Sequence, residues 1–69
     1  MLFTIPMLCR ANGKTFPSLA KVHANDERAA KVIAQTQARL EGIDSIEWVA
    51  NVGTLPLKHR QWFAKNRIY

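Results

Sequence analysis

The residues of this chain that could do chemistry are concentrated in its last twelve positions, which hold four fixed positive charges, no acid and three of the six aromatic rings. The whole chain carries +5, so this segment carries +4 of it and the other 57 residues are close to neutral. Cations attract a polyanion or an acidic protein surface, and flat rings add stacking or anchoring contacts. We therefore predict a partner-binding site, and its members in this segment are Lys58, Arg60, Trp62, Lys65, Arg67 and Tyr69.

A second basic group lies in the middle of the chain, where Arg28, Lys31 and Arg39 share the outer face of a predicted helix. A solvated helix face often has this composition, and Glu27 can form an ordinary i, i+4 pair with Lys31. The functional interpretation is that these cations align with the C-terminal ones into one electropositive surface. We include all three, as a basic helix strip, in the candidate partner-binding site.

The sequence contains no set of residues that predicts catalysis or metal binding. The predicted hairpin sends Cys9 and His23 to opposite faces of its sheet, so they cannot act as nucleophile and base. The histidines have none of the short spacings that hold zinc. Glu41, Asp44 and Glu47 cluster around one turn, but so short a chain cannot build a pocket around them. We expect no enzymatic activity, no cofactor and no metal.

Length and cysteine content restrict the class of protein. A chain of 69 residues forms one small domain that buries only about 60% of its unfolded surface, which leaves room for one thin core. The single cysteine excludes an internal disulfide and favours a reducing, cytoplasmic location. The apolar opening, residues 1–9, lacks a basic leader and a cleavage site, so it predicts a core strand. No run approaches the ~20 apolar residues of a membrane span.

The strongest local signal is Asn12-Gly13, because both residues tolerate the positive φ angles that a two-residue type I′ hairpin turn requires. A hairpin over residues 2–24 then pairs positions whose numbers sum to 25. Its first face is consistently apolar and carries Phe3, Ile5, Met7, Cys9, Phe16, Ser18, Ala20 and Val22. The second face is mixed, and its apolar members are Leu2, Pro6, Leu8, Pro17 and Leu19. Neither Pro6 nor Pro17 breaks this register, since both fall at non-hydrogen-bonded pairs.

A helix is predicted over residues 26–41, capped by Asn25 and ended by Gly42 at its C′ position. Its apolar residues recur at 4-3-4 spacing, and we expect this stripe to cover the first face of the hairpin. The stripe comprises Ala29, Ile33, Thr36 and Leu40 and is flanked by Val32.

Alternation of apolar and polar residues predicts a third strand over residues 45–52, with Trp48 in the core and Gly53 at its end. The basic C-terminal segment, residues 55–69, begins near Pro56, which could start a short helix reaching about Lys65 or an irregular tail. The fold class is thus α+β: a small ββαβ domain with a three-stranded antiparallel-type sheet in the order 2-1-3 and one covering helix. The second hairpin face then needs another cover, either the C-terminal segment or a partner protein such as a second copy.

These features favour a non-catalytic protein that docks on a larger macromolecular complex. In its small size and its lack of a catalytic set, the chain is similar to phage- or plasmid-encoded inhibitors of host nucleic-acid machinery, including anti-CRISPR and anti-restriction proteins. The similarity implies an acidic protein surface or a nucleic-acid-handling complex as partner. One alternative is a module that binds DNA or RNA directly through the C-terminal segment. Another is a structural homodimer formed across the apolar sheet face or the edge of the second strand.

Overall fold

The computed structural model describes residues 1–66 and confirms a small α+β domain built on a three-stranded antiparallel sheet in the order β2-β1-β3. In chain order its elements are β1 (Leu2–Ala11), β2 (Lys14–His23), α1 (Glu27–Leu40), β3 (Ser45–Trp48), a 3-10 turn (Val52–Thr54) and α2 (Leu57–Lys65).

The hairpin has the predicted turn and register. Asn12 and Gly13 have φ angles of 54° and 74°, as a type I′ turn requires. Pairing runs from Ala11 opposite Lys14 to Leu2 opposite His23, so every pair sums to 25. The backbone N–H of Asn12 also donates to the carboxylate of Asp44 at 3.3 Å, which ties the turn to the chain just before β3.

The third strand joins β1 as predicted but is shorter than predicted. It pairs with residues 7–10 of β1, so the ladder begins beyond Pro6, whose carbonyl still accepts the N–H of Val49 at 3.1 Å. The predicted strand over residues 45–52 was too long because the Asn51 side chain accepts the N–H of Gly53 at 2.9 Å. The hydroxyl of Thr54 donates to the Asn51 carbonyl at 2.8 Å. These bonds close a turn that competes with a continued strand.

Helix α1 begins one residue later and ends one residue earlier than predicted, and Gly42 terminates it as predicted. Asp26, not Asn25, is the N-cap, because its carboxylate accepts the N–H of Ala29 at 2.8 Å. At the other end Gly42 adopts a φ of 87°. The N–H of Ile43 reaches the carbonyl of Ala38 at 3.0 Å, the 6→1 bond of a Schellman motif.

The face of α1 that packs on the sheet is not the predicted one. The buried residues are Ala30, Ala34 and Ala38, which we call the alanine face. Ala30 and Ala34 pack with Ile5 and Val22. The predicted stripe lies beside them and toward solvent: Leu40 is 79% exposed, Val32 60% and Ile33 40%. Small alanines let the helix approach the sheet closely, and this packing overrides the stronger hydrophobicity of its neighbours.

The C-terminal segment covers the second face of the sheet. Leu8 and Glu47, both on that face, share a groove with Thr54 and Leu55. The chain therefore passes to the second face after β3, and α2 then contacts β2. Pro56 occupies the N-cap of α2 rather than its first helical position. Within residues 1–66, neither helix combines the length and apolar composition that crossing a bilayer requires.

The alanine face can be tested against the exposed stripe. Ala34→Leu should destabilise the domain by about 1–3 kcal/mol, because extra methylenes are forced between a helix and a sheet already in contact. Leu40→Ala should change stability by less than about 0.5 kcal/mol, as for other surface positions. Urea unfolding at low protein concentration measures both. A larger loss for Leu40→Ala than for Ala34→Leu would contradict the assigned packing.

Candidate partner-binding surface

Two inward-facing residues fix the orientation of α2. Phe63 is fully buried and His59 is 7% exposed, and they lie one turn apart on the same face of the helix. Helix α2 contacts β2, but none of its residues lines the groove that β2 forms with α1 on the first face. This buried pair therefore belongs to the second face of the sheet. Because these residues point inward, the positions on the remaining faces of α2 are presented outward.

One outward face carries an aromatic ring between two cations. Lys58, Trp62 and Lys65 are spaced i, i+4 and i+7, which places them along one side of the helix, and we call them the α2 stripe. The indole of Trp62 is half-buried and meets the ring of Phe63 edge to face, with centroids 5.1 Å apart at 87°. Its remaining surface therefore lies between two exposed lysines.

Arg60 is exposed but lies on another side of α2. At 3.6 residues per turn it is roughly 140–160° around the helix from Lys58 and Lys65. The structure thus separates this guanidinium from the α2 stripe. Arg67 and Tyr69, also predicted to bind the partner, lie outside the described residues.

The basic helix strip of α1 lies across the sheet from the α2 stripe. Arg28 and Arg39 are exposed. Lys31 is engaged within the protein, since its ammonium is 3.5 Å from Glu27 and 5.8 Å from the centroid of the Trp48 ring. The structure therefore brings Lys58, Trp62 and Lys65 together but does not join α1 and α2 into one electropositive surface. Trp48 packs against the core, as the sequence predicted.

Within residues 1–66, no acidic side chain pairs with the charges of the α2 stripe. The Lys31–Glu27 contact is the one ion pair between side chains in this part of the chain. As far as these residues go, the positive potential of Lys58, Arg60 and Lys65 is directed to an external partner. Because these cations are exposed, an ion pair with such a partner weakens as salt increases.

Cys9 and His23 lie on opposite faces of the sheet, as predicted from the hairpin register. The Cys9 thiol is fully buried on the first face, and His23 is exposed. Burial raises the pKa of this thiol above its ordinary value of 9.0, and the nearby carboxylate of Glu41 raises it further. A buried, protonated thiol is a poor nucleophile, so Cys9 acts as a small apolar core residue.

A second outward-facing region, which the sequence did not predict, lies where α1 overhangs β2. An open groove of about 500 Å³ runs there, with Ala20, Val22, Ile33, Ala34 and Gln37 among its lining residues. Ile33 had been assigned to the core. The 4-4 spacing of Ala30, Ala34 and Ala38 was the available signal for the other orientation.

No protein-family model matches this chain, and no significant match was found among curated proteins or among solved structures.

Phe63 anchors α2 to the sheet, so truncating its side chain should disrupt the packing that positions the α2 stripe. Phe63→Ala should cost about 3–5 kcal/mol as a large-to-small core substitution. A domain of this length has only about 3–10 kcal/mol of stability, so much of the folded population should be lost. Trp62→Ala, at a half-buried position, should cost less. Chemical denaturation of both variants checks the order, and the reverse order would show that the indole is the anchor.

The raised pKa of Cys9 predicts a specific dependence of stability on pH. Because the folded thiol keeps a proton that the unfolded chain loses, its contribution is complete below about pH 9 and is lost as pH rises through the folded pKa. Wild type should therefore lose more unfolding free energy than Cys9→Ala as pH rises from about 8 to about 11. Parallel pH profiles for the two proteins would contradict the burial of this thiol.

Proposed function

We propose that this protein is a non-catalytic binding protein that docks, through the α2 stripe, on an acidic surface of a larger macromolecular complex. The observation that carries the proposal is the half-buried indole of Trp62 between Lys58 and Lys65, which have no acidic partner among residues 1–66. A partly exposed tryptophan flanked by charges is the kind of anchor found at the centre of protein interfaces. The cations would steer the encounter and set the orientation.

An acidic protein surface suits this geometry better than a nucleic-acid strand does. Binding a strand without sequence preference uses a continuous basic groove and rings whose faces can stack on bases. Here the ring of Trp62 is half-buried, and the cations of α1 and α2 lie on opposite sides of the sheet. Docking on a compact acidic patch requires only the cations that surround one anchoring ring.

A protein of this kind acts by occupying a surface that another macromolecule needs. We propose a cytoplasmic inhibitor of nucleic-acid machinery, of the kind encoded by phages and plasmids, as the biological setting. Its target surface would be acidic or would itself mimic DNA, so that lysines compete for the same site. This proposal rests on the exposed α2 stripe and on the size of the chain.

Direct nucleic-acid binding is the second candidate, and one observation favours it. The exposed part of the Trp62 ring lies between two ammonium groups, as a base-stacking position between two phosphate contacts would. Arg67 and Tyr69 extend the same composition along the sequence. The salt dependence of binding to nucleic acid distinguishes the two candidates. On duplex DNA, each phosphate contact contributes about −0.9 to the slope of the logarithm of the binding constant against the logarithm of the salt concentration.

Charge reversal on one side of the sheet tests the docking proposal. Lys58→Glu with Lys65→Glu should weaken capture of the partner from nuclease-treated lysate at least about tenfold, since like charges would then meet. The matched control is Arg28→Glu with Arg39→Glu, which makes the same change in net charge across the sheet. Equal losses for both pairs would indicate a general charge effect and contradict docking through α2.

Gel shifts with bare DNA and RNA over a salt titration complete the test. Docking on protein predicts weak binding to both and no difference between the two charge-reversed pairs. Tight, strongly salt-dependent binding that only the Lys58 and Lys65 substitutions abolish would replace the docking proposal with direct nucleic-acid binding.

A further inference from the structure

Within residues 1–66, nothing pairs with the outer edge of β2 over its second half. Residues 15, 17, 19, 21 and 23 form the non-hydrogen-bonded pairs with β1, so their backbone groups point away from it. Pro17 has no N–H to offer there. Among the described residues, the outward N–H and C=O groups of Leu19 and Lys21 have no hydrogen-bond partner. An edge strand of this kind is a template for pairing with another strand.

The exposed stripe of α1 overhangs this same edge. The groove between them is lined on one side by residues 18–23 of β2 and on the other by Ile33 and Gln37. Trp48, Glu27 and Lys31 lie together at a separate groove, on the β3 side. Leu40, at 79% exposed, continues the stripe from Ile33. The fold therefore presents an unpaired strand edge and an apolar helix side along one flank.

We propose that this flank is a homodimer interface, in which β2 pairs antiparallel with β2 of a second copy and the two α1 helices pack side by side above the joined sheet. This surface is separate from the α2 stripe, so the inference goes beyond the proposed function and does not rest on it.

The strand edge complements itself in one register in particular. If paired positions sum to 40, Leu19 of each copy exchanges two backbone hydrogen bonds with Lys21 of the other copy. The backbone N–H of His23 then donates to the carbonyl of Pro17 in the other copy. Ala20 then faces Ala20 at the two-fold axis. This register needs no N–H from the proline, and it keeps Lys21 from lying opposite itself, which would be unfavourable.

The helix stripe complements itself in the same arrangement. Ala34 packs with Ile5 near Ala20, so the two-fold axis passes close to the middle of α1. Antiparallel helices centred there pair positions whose numbers sum to about 69. Leu40 then meets Ala29 of the second copy, and Ile33 meets Thr36. Large residues oppose smaller ones, which is what close helix packing requires.

The flank would have to supply the area that a specific interface needs. A standard interface buries about 800 Å² on each partner. The chain exposes 5091 Å², so roughly a sixth of its surface is needed. A helix of 14 residues is about 21 Å long, and the open edge of β2 runs beneath it.

Sedimentation equilibrium of wild type and three variants tests the proposal. Leu40→Glu should raise the dimer dissociation constant at least about tenfold, because a carboxylate would be buried without a partner. Lys21→Pro should do the same by removing an outward N–H that the monomer does not use. The matched control is Leu57→Glu on α2, an equally drastic change at a residue that is 59% exposed, and it should leave the constant within about twofold.

A thermal melt of each variant at low concentration confirms that the monomer is folded. A wild type that stays monomeric up to about 1 mM would overturn the proposal, as would a dimer that neither Leu40→Glu nor Lys21→Pro weakens.

Cross-linking tests the register. In the proposed pairing the two copies of residue 20 form a non-hydrogen-bonded pair with Cα atoms about 4.5 Å apart, within the range of a disulfide. Ala20→Cys should therefore give a covalent dimer under mild oxidation, whereas the control Lys14→Cys, near the hairpin turn, should not. Native Cys9 is fully buried and does not interfere. Cross-linking of the control alone would overturn this register.

Discussion

The turn at Asn12-Gly13 is the constraint on which the rest of the structure depends. Its two positive φ angles permit a two-residue loop, and that loop fixes which residues of β1 and β2 lie opposite each other. A slip of one residue would move every side chain to the other face of the sheet. The apolar first face, the burial of Cys9 and the separation of Cys9 from His23 all follow from this one register.

A three-stranded sheet has two faces, and 69 residues must cover both of them. The first face is covered by the alanine face of α1, and the second by α2 through Phe63 and His59. Alanine buries little area, so close approach has to supply the packing on the first face. The larger aliphatic residues of α1 are left outside as a consequence. Helix α1 thus contributes small residues to the monomer core, and its larger aliphatic residues stay available for another contact.

The sequence was sufficient to predict the parts of the fold that local chemistry decides. Asn12-Gly13 predicted the hairpin and its register, and Gly42 predicted the end of α1. It did not predict the face of α1, because hydrophobicity favoured Ile33 and Leu40, and only the shape of the sheet selects alanine. The extent of β3 was not predicted, because the alternating pattern includes Asn51 as a strand residue. In the structure its side chain accepts the N–H of Gly53 and closes a turn that stops the strand from continuing. For the binding surface, composition indicated the cations and rings, whereas three-dimensional packing decides that Phe63 points inward and that α1 and α2 lie on opposite sides.

The two proposed surfaces are linked by the symmetry of the sheet. Antiparallel pairing of β2 with β2 requires a two-fold axis perpendicular to the joined sheet, so each face stays on the same side in both copies. Both α1 helices then lie on one side and both α2 stripes on the other. A monomer presents the cations Lys58 and Lys65 around one indole, and a dimer presents two such stripes toward the same partner. Two linked contacts bind far more tightly than one when the partner can meet both. Dimerisation through residues that make no contact with the partner would therefore set the strength of docking, and a partner with two acidic patches at matching spacing would be selected over one with a single patch.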